Sequence, residues 1–151
     1  MIAYRLALEN YKDDLDGTGA KLYGGRWNHS GVPALYTTEN ISLAVLEILV
    51  RTDKHLIPSN YWLLKISFPE FINMVNIPKS KLDKDWKDNI QVTQWMGSQF
   101  LGEDVPVIKV PSAIIDEEHN FIINPRHPGI NKLKIVSANK FSFDNRLFLK
   151  H

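Results

Sequence analysis

Four side chains far apart in the sequence, Arg26, Tyr36, Glu47 and Ser112, share one chemistry. Arg26 follows the pair Gly24-Gly25 and precedes Trp27-Asn28. Adjacent glycines let backbone come close to a ligand, an always-charged guanidinium holds an anion, and a Trp offers an aromatic face. Glu47 interrupts an otherwise apolar run, Ile41 to Val50, broken elsewhere only by Ser42. A carboxylate in such surroundings is costly unless it is partnered. Two readings stand at this point. Glu47 forms a helix-surface ion pair with Arg51, four residues on, or it is aimed into a site. Arg5, Asn120 and Asn124 accompany the set. Together these residue types suit cleavage of an N-glycosidic bond to a ribose. A carboxylate stabilises the oxocarbenium-like transition state and holds ribose hydroxyls. An arginine grips a diphosphate, an aromatic ring stacks on nicotinamide, and a serine hydroxyl adds a hydrogen bond. The leaving group already carries positive charge, so no strong general acid is required.

Other chemistries find less support. The chain has no cysteine, which excludes a disulfide framework, a thiol nucleophile and a cysteine-ligated metal. The five histidines lack paired ligand spacing. Asp13, Asp14 and Asp16 lack the terminal Glu of a calcium loop, so no metal site is expected. Ser112 sits in Val-Pro-Ser-Ala without nucleophile-elbow glycines. There is no GxGxxG and no P-loop. The net charge of +1 argues for neither nucleic acid nor membrane as a partner. No window reaches the ~18 apolar residues of a membrane span, the N-terminus lacks signal-peptide character, and a cytoplasmic protein is the expectation.

The 151 residues suffice for one domain with its own core. Strands are predicted over 2–7, 33–37, 61–68, 71–77, 106–110, 119–124 and 133–142, and helices over 41–51 and 92–101. Thr38 is the expected cap of the first helix. The segments 10–21 and 78–89 read as connections, the second anchored by Trp86, and 143–150 as a tail. Arg5 reads either as an edge-strand surface charge or as a side chain entering a cleft. Strands do not alternate regularly with helices, which gives an α+β class with a mixed or largely antiparallel sheet.

The order of the pieces carries a resemblance. Tyr4-Arg5, Gly24-Gly25-Arg26-Trp27-Asn28 with Gly31, Tyr36-Thr37 and Leu43-Ala44-Val45-Leu46-Glu47 come first. Val110-Pro111-Ser112-Ala113, Asn120 through Asn124-Pro125, His127-Pro128 and Phe143-Asp144-Asn145-Arg146-Leu147 follow. The chain resembles the RES domain, the toxin half of a bacterial toxin–antitoxin pair, over nearly its whole length; the stretch 69–89 carries little of the pattern. The resemblance implies a single domain over 1–151 with an ADP-ribosyltransferase-like fold: a split β-core and a few helices around a cleft for NAD+. It implies NAD+ as substrate, with no permanently bound cofactor, consumed as by an NAD glycohydrolase or phosphorylase so that growth stops. The alternative is a mono-ADP-ribosyltransferase modifying a cellular protein. It implies a helix-turn-helix (Xre-type) antitoxin covering the cleft, in a hetero-oligomer or beside a toxin homodimer, and no direct nucleic-acid contact. By position, Arg26 would bind the phosphates or ribose, Tyr36 would stack on nicotinamide, Glu47 would stabilise the transition state and Ser112 would line the site. Arg5 and Asn120 are the further NAD-binding candidates, Arg5 with the second reading of a structural residue at the cleft floor.

Overall fold

Seven strands form one mixed sheet, and it opens along a seam beside the predicted site. The computed structural model describes residues 1–53 and 55–148; Leu149 and Lys150 of the predicted tail lie outside them. The strands are β1 (Ile2–Leu8), β2 (Leu35–Thr38), β3 (Tyr61–Ser67), β4 (Met74–Asn76), β5 (Val107–Pro111), β6 (His119–Ile123) and β7 (Lys134–Phe141). Their spatial order is β4-β5-β6-β2-β1-β3-β7. Only β4 and β5 run parallel; the other neighbours are antiparallel. β1 pairs with β3 along its whole length, from Ile2↔Ser67 to Leu8↔Tyr61. β1 and β2, in contrast, meet at one registered pair, Tyr4↔Thr38. The β1–β2 ladder is thus the shortest contact in an otherwise continuous sheet, and we call it the seam.

Strand alternation sorts the core into three clusters. One face carries Ala3, Ala7, Leu35, Leu64, Ile66, Phe121 and Ile123. The other face divides. On its β5–β6 side Ile108, Val110 and Ile122 pack with Trp27, Trp86 and Leu101. On its β1–β3 side Leu6 packs with Ala44, Ile48, Phe143 and Phe148. Tyr36 and Asn120 occupy the strip between these halves, because Tyr36 pairs with Ile122 and Thr38 with Asn120.

Among the described residues three α-helices complete the fold, α1 (Thr18–Tyr23), α2 (Ile41–Leu49) and α3 (Ile90–Gly102), beside short 3-10 turns. Helix α2 packs on β1 and β2, beside the seam. Its cap differs from the expectation. Asn40, not Thr38, accepts the Leu43 N–H at 2.9 Å. Thr38 is still in the last strand position, and its hydroxyl donates to the Asn40 carbonyl at 2.7 Å. An Asn cap adds about 1 kcal/mol over Ala. Helix α1 lies at the end of the segment read as a connection. Its short length and its glycines hide any helical period. The expected strand over 71–77 shrinks to the three residues of β4, because the chain turns just before it, the Ile72 N–H donating to the Pro69 carbonyl.

Candidate active site

The loop after α1 is held by its own neighbours. Gly24 closes α1 at a φ of 72°, a left-handed value that favours glycine. Gly25 and Asn28 then form an isolated antiparallel bridge. Asn28 is fully buried. Its Nδ2 donates to the carbonyls of Ala20 and Val32, both at 2.8 Å. Its Oδ1 accepts the Tyr36 hydroxyl at 2.7 Å. The Trp27 N–H donates to the same hydroxyl at 2.9 Å. Gly25 is required by this arrangement: a Cβ there would stand 2.6 Å from Tyr36 Oη. The glycine pair thus allows β2 to pin the loop.

Trp27 does not offer an aromatic face to a ligand. It is 1% exposed, and its ring lies 6.2 Å from that of Trp86 in the core. Helix α3 crosses so closely over the Trp27 carbonyl that a Cβ at Gly97 would fall 1.9 Å from it. Arg26 also lies against Trp86. Its Nη1 donates to the Lys87 carbonyl at 2.8 Å, and the guanidinium lies 5.7 Å from the Trp86 ring. The 78–89 segment, expected to be a connection anchored by Trp86, therefore also supplies the seat of Arg26. It also reaches the β5–β6 loop, where Lys87 pairs with Asp116.

Glu47 occupies the α2 face turned to the seam. Its Oε1 accepts from Asn120 Nδ2 at 3.0 Å across 73 positions of sequence. The ion-pair reading of Glu47 is corrected here. Arg51 donates its Nε to the backbone carbonyl of Glu47 at 3.0 Å, so it closes the end of the helix and leaves the carboxylate to Asn120. Arg5 enters the seam itself. Its Nη1 donates to the Tyr36 carbonyl at 3.1 Å. Burial and the neighbouring charge of Arg51 lower the Arg5 pKa, against the attraction of Asp14. The surface-charge reading of Arg5 does not hold.

Ser112 lies just past β5 and is fully buried. Its Oγ accepts two backbone N–H bonds, from Ile114 and Ile115, each at 3.0 Å. With both lone pairs taken, Oγ keeps only a proton to give. Ser112 shapes the 112–118 loop. Asn124 is likewise committed, donating to Leu101 and Val105 carbonyls at 3.1 and 3.2 Å.

The seam has a distinct electrostatic character. Among the described residues, none of Arg5, Arg26 and Arg51 makes an ion pair with a carboxylate. Burial holds the Tyr36 phenol well above its ordinary pKa, while the Trp27 N–H bond and the charges of Arg26 and Arg51 pull it down. The phenol stays neutral and donates to Asn28. The three arginines therefore bond backbone carbonyls, of Tyr36, Lys87 and Glu47, and the Glu47 carboxylate is bonded by an amide. Arg51 was not singled out for the site by its sequence context, because its spacing from Glu47 suited an ion pair. No group of three or more His, Asp or Glu able to hold a metal ion exists among the described residues. None of their helices is long and apolar enough to cross a membrane. A surface recess of about 250 Å³ lies beside Asp104 and His127, away from these residues, and a smaller one lies beside Trp86 and Met96, on the segment that seats Arg26.

Known proteins share this chain's pattern. The RES domain model matches residues 2–144. A protein named Toxin Res from Photorhabdus laumondii subsp. laumondii is 39% identical, over 97% of this chain and 97% of its own length. The Prs ADP-ribosylating toxin of Sphingobium sp. (strain YBL2) is 34% identical, over 91% of this chain and 89% of its own. Among solved structures, the M. tuberculosis MbcT–MbcA toxin–antitoxin complex contains a chain that superposes with a TM-score of 0.72. That match covers 93% of this chain and 84% of that one at 20% identity, a likeness of fold. The α+β architecture is accordingly one that this protein shares with a chain of that toxin–antitoxin complex.

Proposed function

The chain belongs to the RES family, and from that premise we propose that it is the toxin of a toxin–antitoxin pair that consumes NAD+ by cleaving the nicotinamide–ribose bond. The observation that carries this reading is the Glu47 carboxylate, set in an apolar helix and held by Asn120 at 3.0 Å beside the open seam. A carboxylate so placed stabilises the positive charge that develops on the ribose. In the reaction the ribose C1′–N bond breaks. Its electron pair leaves with nicotinamide and neutralises the pyridinium. An acceptor then bonds to C1′, water giving ADP-ribose and a proton. Arg26 and Arg51 hold the diphosphate. Arg5 fixes the Tyr36 backbone, and the Tyr36 ring forms the wall against nicotinamide. Ser112 sets the shape of the loop beside Asn120. NAD+ is the substrate, and no resident cofactor is involved.

The protein works in the cytoplasm, held inactive by a helix-turn-helix antitoxin of Xre type. The partner chain in the MbcT–MbcA complex supports an antitoxin as partner. A second reading, transfer of ADP-ribose to a cellular protein, is favoured by the name of the Sphingobium relative. Both readings share the first bond cleavage and differ in the acceptor.

The test is nicotinamide release from NAD+ by purified protein, with mass spectrometry of the ADP-ribose product. Release with free ADP-ribose, or its phosphate ester when phosphate is present, supports consumption. Label retained on a protein supports transfer. Glu47→Gln should lower the rate by roughly 100-fold or more, the scale of losing one transition-state electrostatic contact. A folded wild-type protein that releases no nicotinamide refutes the proposal.

A further inference from the structure

The Arg26 guanidinium is held from outside its own loop. Nη1 donates to the Lys87 carbonyl at 2.8 Å. A guanidinium is a rigid planar fork, so that bond helps to set the direction of the N–H groups left for an anion. The carbonyl sits on a segment outside the sheet. There the Trp86 N–H donates to the Asp83 carbonyl at 3.1 Å, and the Asp88 and Asn89 N–H groups donate to the Asp85 carbonyl at 2.9 and 3.1 Å. Buried Trp86 anchors the inner side of this turn. Lys87 follows it, and its ammonium reaches Asp116, 29 positions on. Asp116 belongs to a loop closed by its own hydrogen bonds. The Ser112 N–H donates to the Glu118 carbonyl at 2.9 Å, and the Glu118 N–H to the Ile115 carbonyl at 3.0 Å. Ser112 Oγ accepts from Ile114 and Ile115. The bond from Lys87 holds the Asp116 carboxyl below the usual carboxylate range, with the charges of Lys87 and Lys79 adding to it. A chain of contacts thus runs from Ser112 through Asp116 and Lys87 to Arg26.

We propose that the Lys87–Asp116 pair positions Arg26: it ties the 78–89 segment to the β5–β6 loop and so holds in place the carbonyl that aims the guanidinium at the substrate diphosphate. This rests on the cleavage reading above, which gives the diphosphate to Arg26. Lys87 and Asp116 are positioning residues, and neither touches the reacting atoms. Charge alone argues for the opposite behaviour. A carboxylate beside a site for an anion repels it, so neutralising Asp116 would by charge strengthen substrate binding. A tether that aims Arg26 makes the same change weaken it. The sign of the effect separates the two.

The experiment measures kcat and KM for nicotinamide release from NAD+ by the full chain as wild type, Asp116→Asn, Lys87→Met and the double variant. Both side chains are largely exposed, so all four proteins should fold, and circular dichroism melting checks it. Asp116→Asn should raise KM about 3- to 5-fold, the upper part of what an exposed ion pair is worth, with kcat within about 2-fold of wild type. Lys87→Met keeps the carbonyl and loses the tether, so it should raise KM by a similar factor. The double variant should be no worse than either single one, because each removes the same interaction. Asp116→Glu, which keeps the charge, should stay within about 2-fold of wild type. A KM that falls or stays unchanged in Asp116→Asn overturns the positioning role and leaves the cleavage reading intact. So do effects that multiply in the double variant, the mark of two charges acting on the diphosphate independently, and so does a loss confined to kcat. No release from NAD+ by the wild type overturns both.

Discussion

Replacing Gly25 by Ala tests whether the glycine-rich loop is organised by Tyr36. The added Cβ would sit 2.6 Å from Tyr36 Oη, 2.9 Å from its Cζ and 3.0 Å from Asn28 Oδ1. The phenol cannot stay where it is. Moving it breaks its bond to Asn28 (2.7 Å) and frees the Trp27 N–H (2.9 Å), both in a buried setting. Two hydrogen bonds at about 1 kcal/mol each, plus the lower range of overpacking costs, give about 3 kcal/mol. For a chain of this size that is a fall in melting temperature of about 6–12 °C. Thermal unfolding followed by circular dichroism reads it directly. Gly19→Ala is the matched control. Gly19 lies inside α1 with nothing within 4 Å of a new Cβ, so the change should stabilise by up to about 1 kcal/mol. In a Tyr36→Phe background the hydroxyl is gone, and Gly25→Ala should cost at least about 1 kcal/mol less. If Gly25→Ala melts with the wild type, or costs the same in both backgrounds, the reasoning is wrong.

Two further predictions come from the same region. Gly97→Ala should cost more than about 3 kcal/mol, because its Cβ meets the Trp27 carbonyl, which is backbone and cannot swing away; denaturant unfolding by Trp fluorescence checks it, and a near-neutral result refutes the close crossing. Tyr36 should give stability a specific alkaline limb. Its folded pKa is raised above the ordinary 10.0 by burial, so the folded state keeps a proton that the unfolded chain has released. That stability is complete below about pH 10 and is lost as pH climbs further, with a slope approaching about 1.4 kcal/mol per unit. Urea titrations between pH 9 and 11 should show this extra slope in the wild type and not in Tyr36→Phe.

The sequence made some of this legible, and the reason differs by residue. Apolar alternation exposed β1 and β3, and the nearly unbroken apolar run exposed α2 along with the anomaly of Glu47 within it. The partner of Glu47 was not exposed, since Asn120 lies 73 positions away and only the pairing of β2 with β6 brings it close. Local spacing pointed to Arg51 instead, but the i to i+4 geometry served a backbone carbonyl. Trp27 misled for a related cause. Beside glycines it reads as a loop residue facing out, whereas the close approach of α3 at Gly97 encloses it, and no pattern within the loop announces that helix. Trp86 was recognised as an anchor, but not as the neighbour of Arg26.

The backing of α2 bears on how the protein is made. Ala44 and Ile48 rest against Phe143 and Phe148, and β3, beneath them, is paired by β7. A ribosome delivers Glu47 early and those supports about 100 residues later, or roughly 5–20 seconds at ordinary synthesis rates. Through that interval the helix that carries the carboxylate has Leu6 of β1 on this side but not Phe143 or Phe148. Packing of α2 against Phe143 and Phe148 is therefore a late event, possible only after residues 143–148 have been translated.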